Sequence, residues 1–326
     1  MFDIISIGDT TVDVFLMIDE ASVQCEVEKE TCRLCINYAD KIPVKQMSKI
    51  NAVGNAANNA VASSRLGLKT ALVSIVGDDD SGHAIYRLLK KEKVNTRFVM
   101  TDHTHGTNYS TVLDYKGERT ILVYHEPRQY HWRKIPKSRW LYFTSMGRGS
   151  ESMHQGLLEH VKRTGAKLAV NPGTYQLRTD GKTLSPILAQ TEVLFVNKEE
   201  AKKMLHDDTE NNLAFLLKRL RELGPKIVVI TDGQKGSYAD DGREQYYLPI
   251  LEAPVVERTG CGDAYASGFI GALAYGYDIR EAMRWGSANA AGVIQYIGAQ
   301  KGLLTKRQME KMLKQHPEYQ PAHLST

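Results

Sequence analysis

The chain is short of several things, and each shortage removes a class of protein. Four cysteines in 326 residues are too few for a disulfide-built scaffold and fit a reducing cytosol in which thiols stay free. No window approaches the ~20 apolar residues that a bilayer-spanning helix needs. The opening MFDIISIGDT has neither the basic stretch nor the apolar run of a secretory signal. An excess of one charge is also missing: 42 Lys+Arg against 38 Asp+Glu leave +4, with the basic residues dispersed. That pattern offers no positive stripe to nucleic acid. No G-x-x-x-x-G-K-[ST] loop occurs, so a standard P-loop site is excluded. Repeats and low-complexity tracts are absent too. What is left is a soluble, cytoplasmic globular chain, long enough to bury a full core without staples.

What the chain does have is alternation. Apolar, β-branched runs predict strands at Asp3–Ile7, Thr70–Val76, Trp140–Thr144, Lys167–Asn171, Val193–Asn197 and Lys226–Thr231. Helical spacing predicts helices between them at Asn55–Leu66, Ser81–Lys91, Glu151–Arg163 and Asn211–Leu223, and then at Asp263–Tyr275, Glu281–Ile297 and Lys306–Gln315. Strands separated by helices imply crossovers, and hence a mainly parallel sheet with helices on both faces. Ligands in such sheets sit at the carboxyl ends of the strands. Two stretches, about 13–50 and 104–127, break the rhythm. The second holds two period-2 runs joined by Lys116-Gly117-Glu118, a hairpin pattern. Both read as a small β-layer attached to the main sheet, and the tail after Pro317 reads as a loose end.

Two segments carry chemistry. In VVERTGCGDAYASGFIG, Gly260-Cys261-Gly262-Asp263 leads into a helix with an apolar stripe at Tyr265, Gly268, Phe269, Ala272 and Leu273. Glycines before a helix aim backbone N–H groups outward, and the helix dipole completes an anion site. An aspartate there would repel a bound anion. It makes sense as the acceptor of a proton from a hydroxyl that attacks a phosphoryl group. The alternative is a glycine turn with Asp263 as a plain cap. In VGNAANNAVASSRLG, Gly54 and Asn55 open a helix and Asn58 follows three residues on. Neutral amides in that place suit a polyhydroxylated ligand, and the alternative is a capped, closely packed helix.

These segments, in this order and about 200 residues apart, resemble the ribokinase/PfkB family of sugar and nucleoside kinases, and the likeness runs along nearly the whole chain. It implies a ribokinase-like three-layer α/β/α fold over residues 1–326, a single kinase domain with a small β-strand lid and a homodimer through that lid. IGDTTVD resembles the first family strand, which implies a substrate-binding role for Asp13 beside Gly54, Asn55 and Asn58. VLFVNKEEAKKML is similar to the family's N-x-x-E motif, which implies that Asn197 and Glu200 organise magnesium and phosphate through water. VVITDGQKGSYA implies ATP contacts for Thr231, Gly233 and Gly236, and ANAAGVIQYIGA implies one for Asn289. TGCGDAYASGF implies Asp263 as general base, with Gly260, Cys261 and Gly262 as the anion hole. The implied reaction is ATP- and Mg2+-dependent phosphorylation of a primary hydroxymethyl group on a small, ribose- or fructose-like sugar. A nucleoside kinase and a catalytically silent sugar- or nucleotide-binding regulator are the alternatives.

The departures from the family pattern carry their own expectations. Glu257 stands where the family usually has an aspartate that helps to hold a monovalent cation, so a potassium requirement is left open. Arg258 either offsets that cation or lies in solvent. Cys261 replaces the usual alanine; at a helix N-terminus its thiol pKa is expected to fall, unless it is a small buried filler. Val53 replaces a glycine and narrows the substrate loop. Cys25, Cys32 and Cys35 are either free thiols or three ligands of a zinc site that lacks a fourth. Tyr109, Tyr115, Arg119, Tyr124, His125 and Arg128 either recognise a nucleobase or an acidic group on the substrate, or form ordinary cross-strand pairs.

Overall fold

The computed structural model describes residues 1–26, 31–178 and 183–324. Ten strands form the main sheet. From one edge they run Asn95–Asp102, Thr70–Gly77, Phe2–Ile7, Ser138–Thr144, Lys167–Asn171, Thr191–Asn197 and Ile227–Thr231, each parallel to the next. Three antiparallel strands, Ser237–Asp240, Gln245–Leu248 and Ala322–His323, complete the other edge.

Alternation along each strand sorts its side chains onto two faces. Ile5, Ile7, Leu141 and Phe143 face one core, against Leu157 and Val161 of the helix His154–Thr164 and Leu216 and Leu220 of the helix Leu213–Glu222. Ile4, Trp140, Tyr142 and Phe195 face the other core, against Phe269 and Ile270 of the helix Cys261–Tyr275 and Met283 and Trp285 of the helix Ile279–Val293. These last two helices pack backbone to backbone. A Cβ on Gly268 would lie 2.5 Å from the Trp285 carbonyl oxygen, so that crossing needs glycine.

The irregular stretches form a second, four-stranded sheet in the order Val44–Val53, Thr11–Ile18, Tyr109–Tyr115, Glu118–Tyr124. The hairpin at Lys116-Gly117 is present, with Tyr115 paired to Glu118. A further antiparallel pair, Ser22–Glu26 with Thr31–Cys35, extends from it.

Four expectations need correction. The helix from Cys261 shows no single stripe: ten of its residues are buried, because helices and sheet enclose it on several sides. The helix predicted to reach Ile297 ends at Val293. The tail is anchored rather than loose: Arg284 Nε donates to the Tyr319 carbonyl at 2.7 Å, and Ala322–His323 joins the sheet edge. Finally, Cys25 and Cys32 are joined in a disulfide and only Cys35 and Cys261 are free. The zinc alternative thereby loses two of its three ligands, and among the described residues no group of three or more His, Cys, Asp or Glu is placed to hold a metal. No described helix is long and apolar enough to cross a membrane.

Candidate active site

Strand order reverses around the first strand: the chain starts mid-sheet, moves to one side through Thr70–Gly77 and later returns to the other side at Ser138–Thr144. A crevice opens at the carboxyl ends of strands at such a reversal. Asp9, just past the first strand, is buried there and accepts from the Tyr130 hydroxyl at 2.7 Å and the Gly147 N–H at 2.9 Å. From this point the chain enters the lid strand that carries Asp13.

Across the crevice lies the start of the helix Cys261–Tyr275. Gly260 caps it with φ 78°, and a Cβ on it would sit 2.2 Å from that of Ala299. Both the left-handed backbone and the close approach require glycine. No side chain caps this helix, which leaves first-turn amides available to an anion. Asp263 stands in that first turn, and its Oδ2 accepts from Asn58 Nδ2 at 2.8 Å. Asn58 is itself fixed by Gln300, whose Nε2 donates to Asn58 Oδ1 at 2.9 Å and to the Ala52 carbonyl at 2.6 Å.

A cavity of about 200 Å³ opens on this turn. It is walled by Gly260, Cys261, Gly262, Asp263, Asn55, Asn171, Asn197, Glu200, Thr231, Arg119 and Arg258, together with Phe195, Val196 and Tyr265. Asn55 Nδ2 donates to Asn171 Oδ1 at 3.1 Å, and Asn171 Nδ2 to the Phe195 carbonyl at 2.9 Å. Asn197 and Glu200 form a reciprocal capping box, with both bonds at 2.8 Å. A second cavity of about 330 Å³ shares Arg258 and Cys261 with the first. Its walls are mainly apolar, from Ile250, Leu251, Val255, Ala290, Ala291 and Ile294, with Gly233 at the rim. A small polar chamber at a helix N-terminus joined to an apolar slot has the proportions of a phosphate site beside a base site.

The pfkB family carbohydrate kinase model matches residues 15–306 of the chain. The protein belongs to this family. Among its relatives, a nucleoside kinase of Methanothermobacter thermautotrophicus is 27% identical over 316 residues, covering 92% of each chain. A 5-dehydro-2-deoxygluconokinase of Geobacillus kaustophilus is 28% identical, with 87% of this chain and 92% of the relative covered. In fold, the chain is similar to Arabidopsis thaliana ribokinase complexed with ribose and ATP, at a TM-score of 0.80 and 20% identity, covering 96% of this chain and 99% of that one. The Burkholderia thailandensis nucleoside kinase complexed with inosine gives 0.79 at 19% identity, with 98% of each covered. This PfkB enzyme is therefore a sugar or nucleoside kinase with the ribokinase-like fold, which transfers a phosphoryl group to an alcohol.

Electrostatics at the PfkB site are dominated by buried carboxylates. Burial raises the pKa of Asp263 to about 6; the Asn58 hydrogen bond opposes this, and the charges of Glu200 and Asp13 add to it. Burial likewise raises Asp13 to about 6, against a hydrogen bond from Ser110 and with help from the Glu257 charge. Glu200 is raised by burial. The same burial pushes the Cys261 thiol up to about 11, aided by Glu257. The expected lowering at a helix N-terminus is thus reversed: loss of solvation outweighs the dipole.

Other predicted residues fall elsewhere. Asn289 is wholly buried and lines neither cavity; it donates to the Ala264 carbonyl at 2.8 Å and accepts from Leu304 N–H at 3.0 Å. It thus ties the two helices behind the site together. Gly236 serves a turn, where a Cβ would meet the Leu248 oxygen at 2.2 Å. Gly54 starts the Asn55 helix at φ 95° beside the Asp9 carbonyl. Both of these arginines are engaged within the chain: Arg128 bonds Asp102 and the Gly106 carbonyl, and Arg119, which also lines the chamber, bonds Glu257 through Nη1. Four residues were not singled out by the sequence: Asn171, Asp9, Tyr130 and Gln300. Asn171 and Asp9 sit at carboxyl ends of strands, a signal that marks position but not role.

Proposed function

We propose that the protein catalyses ATP-dependent phosphorylation of a primary hydroxymethyl group on a small neutral sugar, with Asp263 as the general base. The observation that carries this reading is the junction at Gly260–Asp263. One turn presents first-turn amides and a carboxylate to the same small chamber, and Asn58 and Gln300 hold that carboxylate in place. In this arrangement Asp263 accepts the proton of the attacking hydroxyl, while the amides of Gly260, Cys261 and Gly262 stabilise charge on the transferring phosphoryl group. Asp13, Gly54, Asn55 and Asn58 hold the acceptor. Amides and carboxylates favour hydroxyl groups over a phosphate or carboxylate there. The apolar slot receives the nucleotide base, with Gly233 at its mouth and Thr231 and Asn197 on the phosphate side.

Glu200 and Asp263 both line the chamber, and the Glu200 charge raises the proton affinity of Asp263, so the pair suits a divalent cation. The donors are hard oxygens, as Mg2+ prefers, and with no three-carboxylate cluster the ion would be held largely by water and nucleotide phosphates. Its chemistry there is to neutralise phosphate charge. A homodimer through the lid belongs to the same reading, since Ile121, Leu122 and Val123 stand exposed on its outer strand; light scattering in solution tests it. A nucleoside acceptor is the second reading, favoured by the exposed rings of Tyr109 and Tyr124 on the lid hairpin.

A coupled ADP-release assay with Mg-ATP tests the proposal against ribose, fructose, fructose phosphates, 2-keto-3-deoxygluconate, adenosine, inosine and cytidine. Turnover is expected with a neutral sugar, with Asp263→Asn slower by roughly 10²–10⁴-fold. Because Asp263 must be ionised, kcat/KM is expected to fall as pH drops through about 6 and to level off above it. Equal rates for wild type and Asp263→Asn would remove the base assignment. ATP binding with no turnover on any acceptor would favour the silent regulator.

A further inference from the structure

We propose that two crossed ion pairs clasp the lid to the phosphate-binding turn, and that the Arg119 guanidinium supplies to Glu257 the positive charge that a monovalent cation would otherwise bring. The inference rests on the phosphotransfer reading of the site. Glu118 and Arg119 begin the outer strand of the lid hairpin, and Glu257 and Arg258 precede the cap Gly260. The two dipeptides meet with their charges crossed: Arg119 pairs with Glu257, and Arg258 with Glu118 at 3.7 Å.

The two pairs differ in weight. Arg258 and Glu118 are exposed, and such a pair contributes little. The Glu257 side chain is only 10% exposed, and donors occupy both of its oxygens. Oε1 accepts from Arg119 Nη1, from Thr259 N–H at 2.6 Å and from the Thr259 hydroxyl; Oε2 accepts from Gly298 N–H at 3.1 Å. A potassium ion needs that carboxylate as an oxygen ligand. Here the Arg119 guanidinium already sits against Oε1, where the ion would have to lie, so with Arg119 in place the residues present do not fit such an ion. The positive charge beside Glu257 is instead the Arg119 guanidinium. Because it belongs to the lid, the charge that steadies residues 257–260 arrives only with the lid in place. Arg119 is thus a positioning residue that acts through Glu257 on the anion-binding turn.

The test compares potassium chloride with choline chloride at matched ionic strength, in wild type, Arg119→Met and Arg119→Lys. Turnover, Mg-ADP binding by calorimetry and melting of the ligand-free protein are measured in each. Wild type is expected to behave alike in both salts. Arg119→Met should lose roughly a hundredfold in kcat/KM in choline, the scale for breaking a buried pair. Potassium should restore part of that loss and raise the melting temperature of this variant alone, while Arg119→Lys keeps most of the wild-type behaviour. Potassium activation of wild type would overturn the proposal. So would an Arg119→Met variant unchanged in both salts, or one whose loss potassium does not repair. The melting comparison needs no nucleotide, so absence of Mg-ADP binding in wild type would count against the phosphotransfer reading and leave the clasp still decided by the melts.

Discussion

The main sheet and the lid sheet are built from similar β-branched segments, yet they stand in opposite environments. Thr70–Gly77 is buried at every position, whereas Glu118–Tyr124 is exposed at nearly every one. Helices cover the main sheet on both faces and give it a core on each; the lid sheet buries Val12, Val14, Phe15, Ile18, Ala52, Val53 and Val112 but leaves its outer strand almost bare. The difference shows a division of labour. Rigidity is concentrated under the helix that opens at Gly260, and the outer lid strand is held on by strand pairing and a few polar contacts. Segments with few buried apolar contacts open locally at low cost, which a closing lid requires.

The comparison can be pressed hardest on the rigid side. Gly260→Ala combines a left-handed backbone with a Cβ 2.2 Å from Ala299, so it should cost about 1–3 kcal/mol from the backbone alone and abolish measurable turnover. Denaturant melts and the ADP assay read both effects; a stable, active variant would show that the turn is softer than its geometry implies. A paired truncation sharpens the contrast. Leu141→Ala, at a fully buried position of the central strand, should cost about 2–5 kcal/mol, and Val123→Ser on the lid should stay within about 0.5 kcal/mol. Comparable losses at the two sites would mean that the lid is covered in solution. The smallest effect concerns Cys261. With its thiol pushed up to about 11, it should alkylate slowly at neutral pH and faster only as pH rises towards that value. Rapid modification at neutral pH would show that the turn opens to solvent.

Legibility in the sequence divides along a similar line. The strand Lys167–Asn171 and the helix Lys306–Gln315 have the bounds that periodicity predicts, because an amphipathic or buried run states its own face. The hairpin at Lys116-Gly117 was readable from its turn chemistry. The turn at Gly260 into a helix was readable because glycine takes the left-handed backbone that this start adopts. What local pattern could not show was long-range pairing. The Arg119–Glu257 contact spans 138 residues, and nothing near Arg119 marks it as different from a solvent-facing arginine. Asn289 failed in the other direction: a motif suggested a ligand contact, and the fold uses both ends of its amide internally. The disulfide was missed because compositional reasoning speaks to compartments, while pairing follows from two cysteines facing each other across a hairpin.

The support of Asp263 has a consequence for how the molecule assembles. Its carboxylate is held by Asn58, 205 residues away in sequence, and Asn58 in turn by Gln300, 242 residues away. Contacts of such separation close large loops and form late, after local helices and hairpins are in place. The first and last thirds of the chain must therefore both be folded before Asp263 has its partners. A growing chain released before residue 300 would hold the Gly260 turn and the Asn55 helix without the glutamine that joins them. Catalytic competence is thus a property of the finished chain, and activity should be the last signal to return on refolding.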